Sequence, residues 1–276
     1  MTTSSPSVKL TGYDLGKSAT FALKSDQRFS YCTFTPASYR PGQDNNHQLL
    51  VLIHGSDRSN QALRDYFTDF AEQHNCILLA PLFPCAIEDS DDRDNYKYIA
   101  YKGIRFDRIL MSMIDEISTK YRMFWPKFSM FGFSGGAHFA HRFLLLHPHR
   151  LTAVSVAAPG SVTRIDDSRD WWVGTKNMEQ LFGVKIDLNQ LRKPQVHLCV
   201  GDQDLDTSAI SHKPGSPHWM EGANNAGVTR VDRLHSLYRN FRGHGMKVSL
   251  ELAAGKNHDT DAMSDCAMRF LAESFK

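Results

Sequence analysis

The sequence predicts an α/β domain built on a mostly parallel, eight-stranded sheet with helices on both faces. Three observations predict it. An unbroken apolar run at residues 49–53 reads as a strand covered on both sides, and the largely apolar stretches at 76–80, 151–158 and 195–200 read as further strands. Between them lie stretches whose apolar residues recur near every 3.6 positions, such as Leu63, Tyr66, Phe67, Phe70 and Ala71. Strand, helix and strand then alternate, which is how a parallel sheet is wound.

The elements follow in order. Residues 1–18 are polar and read as a flexible N-terminal segment, and residues 19–276 as a single domain. Residues 19–23 and 28–34 alternate apolar with polar, the pattern of two antiparallel edge strands turning at 24–27. A loop with Pro41-Gly42 and Asp44-Asn45-Asn46 as turn formers leads to the strand at 49–53, which ends in His54-Gly55-Ser56. A helix over 60–74 precedes the strand at 76–80, which Pro81 and Pro84 close. Five carboxylates crowd residues 88–94, but a calcium loop needs a glycine and a spacing they lack, so a solvated loop is expected. A long helix over 103–123 feeds a strand at 128–133, and a helix over 137–147 stops at Pro148. Residues 161–193 break the alternation and, with a second insertion at 207–226, read as lid-like segments. A helix around Val231 to Tyr238, a strand at 247–252 and a helix at 260–275 complete the chain.

Composition excludes several classes. With 276 residues, 41% of them hydrophobic, there is ample apolar mass for one large core. A net charge of +2 gives no sustained basic face for nucleic acid. No apolar run approaches the roughly 18 residues a membrane span requires, and the first residues lack a signal-peptide pattern, so a cytoplasmic protein is expected. The five cysteines, Cys32, Cys76, Cys85, Cys199 and Cys266, follow no disulfide or zinc spacing and read as reduced thiols. His138 and His141 stand three apart on a helix, but with no third ligand suggested they read as packing or surface residues rather than a metal site.

The chemistry concentrates at Gly132-Phe133-Ser134-Gly135-Gly136, a Gly-x-Ser-x-Gly pattern set between a buried strand and a helix. A strand-to-helix turn this tight forces the serine into a strained backbone with its hydroxyl outward, and only glycine fits two residues to either side. The N–H of Gly135 is left open at the first helical turn, where it can meet a developing oxyanion. Such a pattern alone arises in roughly one chain in ten of this length, so its partners decide between a nucleophile and a plain glycine-rich turn. Two other strand ends supply titratable groups: Gly201-Asp202-Gln203-Asp204 and Gly255-Lys256-Asn257-His258. In parallel sheets such loops gather at one edge. The chain order Ser134, Asp204, His258 is nucleophile, acid, base.

With those motifs and His54-Gly55-Ser56, residues 19–275 resemble the α/β-hydrolase superfamily. The likeness is to its esterase side, with small carboxylesterases, feruloyl-esterase-like and polyhydroxybutyrate-depolymerase-like proteins. The resemblance implies a serine hydrolase that cleaves a carboxylic ester, lactone or thioester through an acyl-enzyme on Ser134, with no cofactor and no metal. His258 would shuttle the proton. Asp204 would orient it, since Gly-x-x-Asp lands there from Gly201, with Asp206 as competitor. The oxyanion would lie between the N–H groups of Ser56 and Gly135, and His54 would brace that loop. Trp171, Trp172 and Trp219 are expected to wall the substrate site, with Phe83, Tyr96, Tyr98 and Tyr101 opposite, which favours a small to medium apolar or aromatic substrate. Two other readings stay open: another reaction on the same fold, such as C–C bond cleavage, lysis or peptide hydrolysis, or a silent ligand-binding protein. The oligomeric state is not legible.

Overall fold

A computed structural model describes residues 10–43 and 46–275. Residues 1–9, including the start read for a signal, and Asp44 and Asn45 of the turn lie outside the described residues. In chain order, β1 (Gly16–Lys17), β2 (Phe21–Ala22), β3 (Ser30–Thr35) and β4 (Gln48–Ile53) are followed by α1 (Asn60–Tyr66), α2 (Thr68–Gln73) and β5 (Cys76–Leu82). A small hairpin, β6 (Ala100–Tyr101) and β7 (Ile104–Arg105), precedes α3 (Phe106–Tyr121), β8 (Phe128–Phe133), α4 (Gly135–Leu146) and β9 (Leu151–Ala157). Then come α5 (Met178–Phe182), α6 (Leu188–Leu191), β10 (Gln195–Gly201), α7 (Arg230–Gly243), β11 (Lys247–Ala253) and α8 (Thr260–Ser274).

The main sheet runs β1-β3-β5-β4-β8-β9-β10-β11, eight strands in one path, with β2 added beside β3 as a ninth. From β5 to β11 every pairing is parallel, while β3 joins β5 antiparallel and carries β1 and β2 antiparallel on it. The expected mostly parallel sheet is therefore present, and the edge hairpin at its start is β2 with β3. The segment read as flexible over residues 1–18 contains a paired strand near its end, since Gly16 faces Thr35 and Lys17 faces Phe34.

Alternation along β8 fixes the two layers. Phe128 packs on Phe143 of α4, while Phe131 packs on Phe67 next to α1 on the opposite face. Helices thus cover both faces, and β4, β5 and β8 lie almost wholly buried between them. Two boundaries differ from the periodicity. The helix over 60–74 is broken at Phe67, where Thr68 Oγ1 donates to the Asp65 carbonyl and competes with the helical ladder. β5 runs on through Pro81 to Leu82. Pairing with β4 ends at Leu79, so Pro81 keeps a neighbour on one side only, an edge-like position that tolerates a missing N–H.

Candidate active site

β4, β8, β10 and β11 point their carboxyl ends to the same edge, and the loops leaving them build the site. Ser134 follows β8 with φ 51° and ψ −111°, a region that costs a non-glycine residue of order 1–3 kcal/mol. Its N–H donates to the Ala157 carbonyl at 2.8 Å, which holds the turn against β9. The flanking glycines are required by contact. A Cβ on Gly132 would lie 2.2 Å from the Gly136 carbonyl oxygen, and one on Gly136 would lie 2.1 Å from the Ile53 carbonyl oxygen. The turn is thereby wedged against the end of β4, and Ser56 beyond it reaches the same place: a Cβ on Gly135 would meet the Ser56 Oγ at 3.0 Å. The N–H groups of the two oxyanion candidates belong to segments that abut, at the start of α4.

The other two members arrive from the neighbouring strand ends. His258 Nε2 lies 3.0 Å from Ser134 Oγ, and His258 Nδ1 lies 2.6 Å from Asp204 Oδ2. With Nδ1–H donating to the carboxylate, Nε2 is the acceptor facing the serine hydroxyl. Phe133 supports the imidazole from one side, ring centroids 4.7 Å apart. Of the two candidate acids, Asp204 is the one in place. Asp206 accepts from the N–H and hydroxyl of Ser208 instead. Asp202 fastens the two loops together, its Oδ1 accepting from the Gly255 N–H at 2.8 Å. Gly201 lets them close, because a Cβ there would sit 2.1 Å from the Lys256 carbonyl oxygen.

Asp204 is buried, and its second oxygen accepts from Arg230 Nη1 at 2.9 Å. Sequence reading missed this arginine. One signal was available: Arg230 opens α7 behind a Thr229–Asp232 capping box, an end where the helix dipole disfavours a cation and a carboxylate partner offsets it.

The histidines behind the site are neutral braces. His54 Nε2 accepts from the Phe83 N–H while Nδ1 donates to the Gly55 carbonyl, and burial pushes its pKa down to about 4. His138 and His141 are buried and bind the segment after β9. Nε2 of each accepts a backbone N–H, from Ser161 and Thr163 respectively. Burial first, then Arg142, holds both pKa values well below that of a free imidazole. Among the described residues no group of three or more His, Cys, Asp or Glu side chains is arranged to hold a metal ion. The acidic run at 88–94 is dispersed: Asp89 engages Tyr101 and Lys102, while Asp94 turns in to Lys97 beside the site.

A cavity of about 440 Å³ opens beside Ser134 and Gly135. The expected tryptophan wall does not line it. Trp171 and Trp172 pack behind, donating to the carbonyls of Tyr98 and His218, because their indoles complete a second small core with Val173 and Ala223. Trp219 stands at the surface, 44% exposed. On the opposite side Tyr98 alone reaches the cavity; Phe83 and Tyr96 are core residues, and Tyr101 faces Asp89. The lining is mixed, with Ala209, Ile210 and Pro217 beside polar side chains that include Asp94, Lys97, His212, His218 and Arg230. Residues 209–212 and 216–218 of the second insertion contribute directly to that wall. The first insertion is anchored to α4 through Arg142, which donates to Ser161 Oγ and Thr163 Oγ1.

No protein-family model matches the chain. A 75-residue stretch is 37% identical to tRNA N6-adenosine threonylcarbamoyltransferase of Zymomonas mobilis, covering 27% of this chain and 18% of that protein's length. Solved structures align over nearly the whole chain. A poly(3-hydroxybutyrate) depolymerase from Bordetella parapertussis superposes with a TM-score of 0.73 and 22% identity, over 96% of each chain. Poly(aspartic acid) hydrolase-1 from Sphingomonas sp. KT-1 gives 0.71 and 21%, over 88% of this chain and 93% of that one. An S-formylglutathione hydrolase from Agrobacterium tumefaciens gives 0.62 and 14%, over 93% of each. Identities this low speak for the fold, and they agree with the sheet order and the serine turn: this chain has the α/β-hydrolase fold.

Proposed function

We propose that the chain is a serine hydrolase that cleaves a carboxylic ester through an acyl-enzyme on Ser134. The observation that carries this reading is one unbroken relay. Ser134 Oγ, His258 Nε2, His258 Nδ1 and Asp204 Oδ2 are linked by contacts of 3.0 and 2.6 Å, and Arg230 secures the far end. A serine hydroxyl is a weak nucleophile until a base sits on its proton. His258 takes that proton as Oγ attacks the ester carbonyl. Asp204 fixes the tautomer and stabilises the imidazolium. The carbonyl oxygen gathers negative charge between the N–H groups of Gly135 and Ser56, each donor contributing about 3 kcal/mol of transition-state stabilisation in sites of this kind. His258 then returns the proton to the departing alcohol, and a water repeats the cycle to free the acid.

The names of structural neighbours support the same chemistry: depolymerase of a polyester, S-formylglutathione hydrolase and ferulic acid esterase. Residues 19–276 act as one domain in this reading, with the insertion at 207–226 contributing to the wall of the substrate cavity and the insertion at 161–193 packed behind it. No helix among the described residues is long and apolar enough to cross a membrane. A cytoplasmic setting fits the five free cysteines, four of them buried.

The test is direct. A fluorophosphonate should form an adduct on Ser134, and Ser134→Ala should lose both labelling and at least about 10³-fold of the turnover of p-nitrophenyl butyrate. Unchanged turnover in that variant rejects the assignment.

A further inference from the structure

We propose that Tyr96 is a positioning residue of the oxyanion site, its hydroxyl setting the aim of the Ser56 N–H and its spacing from that of Gly135; this rests on the serine-hydrolase reading. A peptide unit is planar and trans, so the Gly55 carbonyl and the Ser56 N–H belong to one rigid plate and point opposite ways. Whatever grips the carbonyl steers the N–H. Three donors grip it here. His54 Nδ1 lies 2.7 Å from the Gly55 oxygen, the Tyr96 hydroxyl 3.0 Å and the Arg58 backbone nitrogen 3.2 Å. Donors on a carbonyl also polarise the amide, which makes its N–H the stronger donor. On the other edge of the plate the Ser56 N–H donates to no protein group among the described residues. Ser56 and Gly135 both line the cavity that contains Ser134.

Of the three donors, only Tyr96 comes from outside the loop that it holds. It stands in the helical turn Asn95–Tyr98, after β5, and its ring is wholly buried. The ring is clamped from several sides: its centroid lies 5.0 Å from that of His54 and 5.4 Å from that of Phe83, with the Arg58 guanidinium 5.0 Å above it. Burial pushes the phenol pKa up, so the group remains a donor at any working pH. Its one proton is shared between the carbonyls of His54 and Gly55, each 3.0 Å away. The same oxygen also abuts the second oxyanion segment. A Cβ on Gly135 would overlap the Tyr96 hydroxyl, while Lys97 Cε and Ser56 Oγ would stand 3.0 Å from it. One hydroxyl therefore fills the gap between the loop after β4 and the first turn of α4. The Gly-x-Ser-x-Gly pattern leaves position 135 free, and glycine stands there because the phenol occupies the room of a side chain.

The experiment removes the hydroxyl and keeps the ring. In Tyr96→Phe, kcat and kcat/KM for p-nitrophenyl butyrate should fall together by at least about tenfold with KM unchanged, the mark of an interaction made in the transition state. Butaneboronic acid forms a tetrahedral adduct on a serine and places an oxygen at the oxyanion site. Its affinity should drop by the same factor, whereas inhibition by butyramide, which resembles the ground state, should not change. Melting temperature reports the folded fraction of each variant. Gly135→Ala should cost more turnover in wild type than in Tyr96→Phe, because the added methyl overlaps the hydroxyl. A kcat within about threefold of wild type, whatever the melting temperature, overturns the proposal and leaves the hydrolase reading standing. A fall in kcat with unchanged boronate affinity removes the assignment to the oxyanion donors. Equal losses from Gly135→Ala in both backgrounds remove the placement of the hydroxyl between them. No turnover by wild type, with no fluorophosphonate adduct on Ser134, removes the hydrolase reading and this inference together.

Discussion

Substituting Gly201 by alanine places one methyl group where the structure has no room for it. Gly201 closes β10, and its added Cβ would stand 2.1 Å from the Lys256 carbonyl oxygen and 2.5 Å from that of Asn257. Both obstacles are backbone, in the segment that runs directly into His258, so no rotamer can relieve the clash. Contacts below 3.0 Å are essentially never tolerated, and relief needs a retreat of about 1 Å (3.0 − 2.1 = 0.9 Å) by a loop that the Gln203 N–H and Asp202 carboxylate otherwise hold in place. Carried to the imidazole, that displacement stretches the 3.0 Å contact with Ser134 Oγ to about 4 Å, outside hydrogen-bonding range. A misplacement of that size costs about 10²-fold in turnover, and overpacking costs about 1–3 kcal/mol of stability. Hydrolysis of p-nitrophenyl butyrate and a urea titration measure the two separately. Gly243→Ala is the control, since nothing lies within 4 Å of its added Cβ. Wild-type turnover at wild-type stability in Gly201→Ala would refute the argument that this glycine sets the position of the base.

Two further outcomes are expected. Asp204→Asn keeps the shape of the relay but loses the charge that fixes the His258 tautomer, so kcat should fall about 10³- to 10⁴-fold while fluorophosphonate labelling slows in parallel; a loss below tenfold contradicts the role given to Asp204. Asp107 is buried, and although burial raises its pKa, bonds from His147 and Arg105 bring it down to about 2. A carboxyl depressed in the folded state contributes stability that is complete above its ordinary value of 3.8 and fades as pH falls toward 2. Asp107→Asn should therefore cost about 2 kcal/mol at neutral pH, and urea titrations of the two proteins should converge between pH 4 and pH 2. A gap that stays constant with pH removes the linkage.

Much of this was legible in the residues because it is enforced by short-range physics. The central strands β4 and β5 announce themselves as near-continuous apolar runs, since each is covered on two faces. The serine turn announces itself because only glycine fits at Gly132 and Gly136. Asp204 could be chosen over Asp206 only through a family likeness; the structure supplies the reason, as Asp206 is satisfied within its own turn by Ser208. What escaped was long-range. Nothing local in Trp171-Trp172 says that the pair faces a satellite core, packed with Val173 and Tyr98, rather than substrate. Nor does the acidic run at 88–94 disclose that Asp92 is buried or that Asp94 pairs with Lys97 at the cavity. Arg230 belongs to the same class: its partner lies 26 positions away, and only the awkward sign of its charge at a helix start hinted at one.

The placement of the three reacting groups on the sheet is unequal. Ser134 rises from β8, which has β4 on one side and β9 on the other, whereas His258 hangs from β11, the last member of the row, held in the sheet by β10 alone. Margins of a folded sheet open at a lower free energy than its middle. Mild loosening therefore parts the imidazole from the serine while the central strands remain intact, and catalytic competence is bounded by the firmness of one outer ribbon rather than by the melting of the whole.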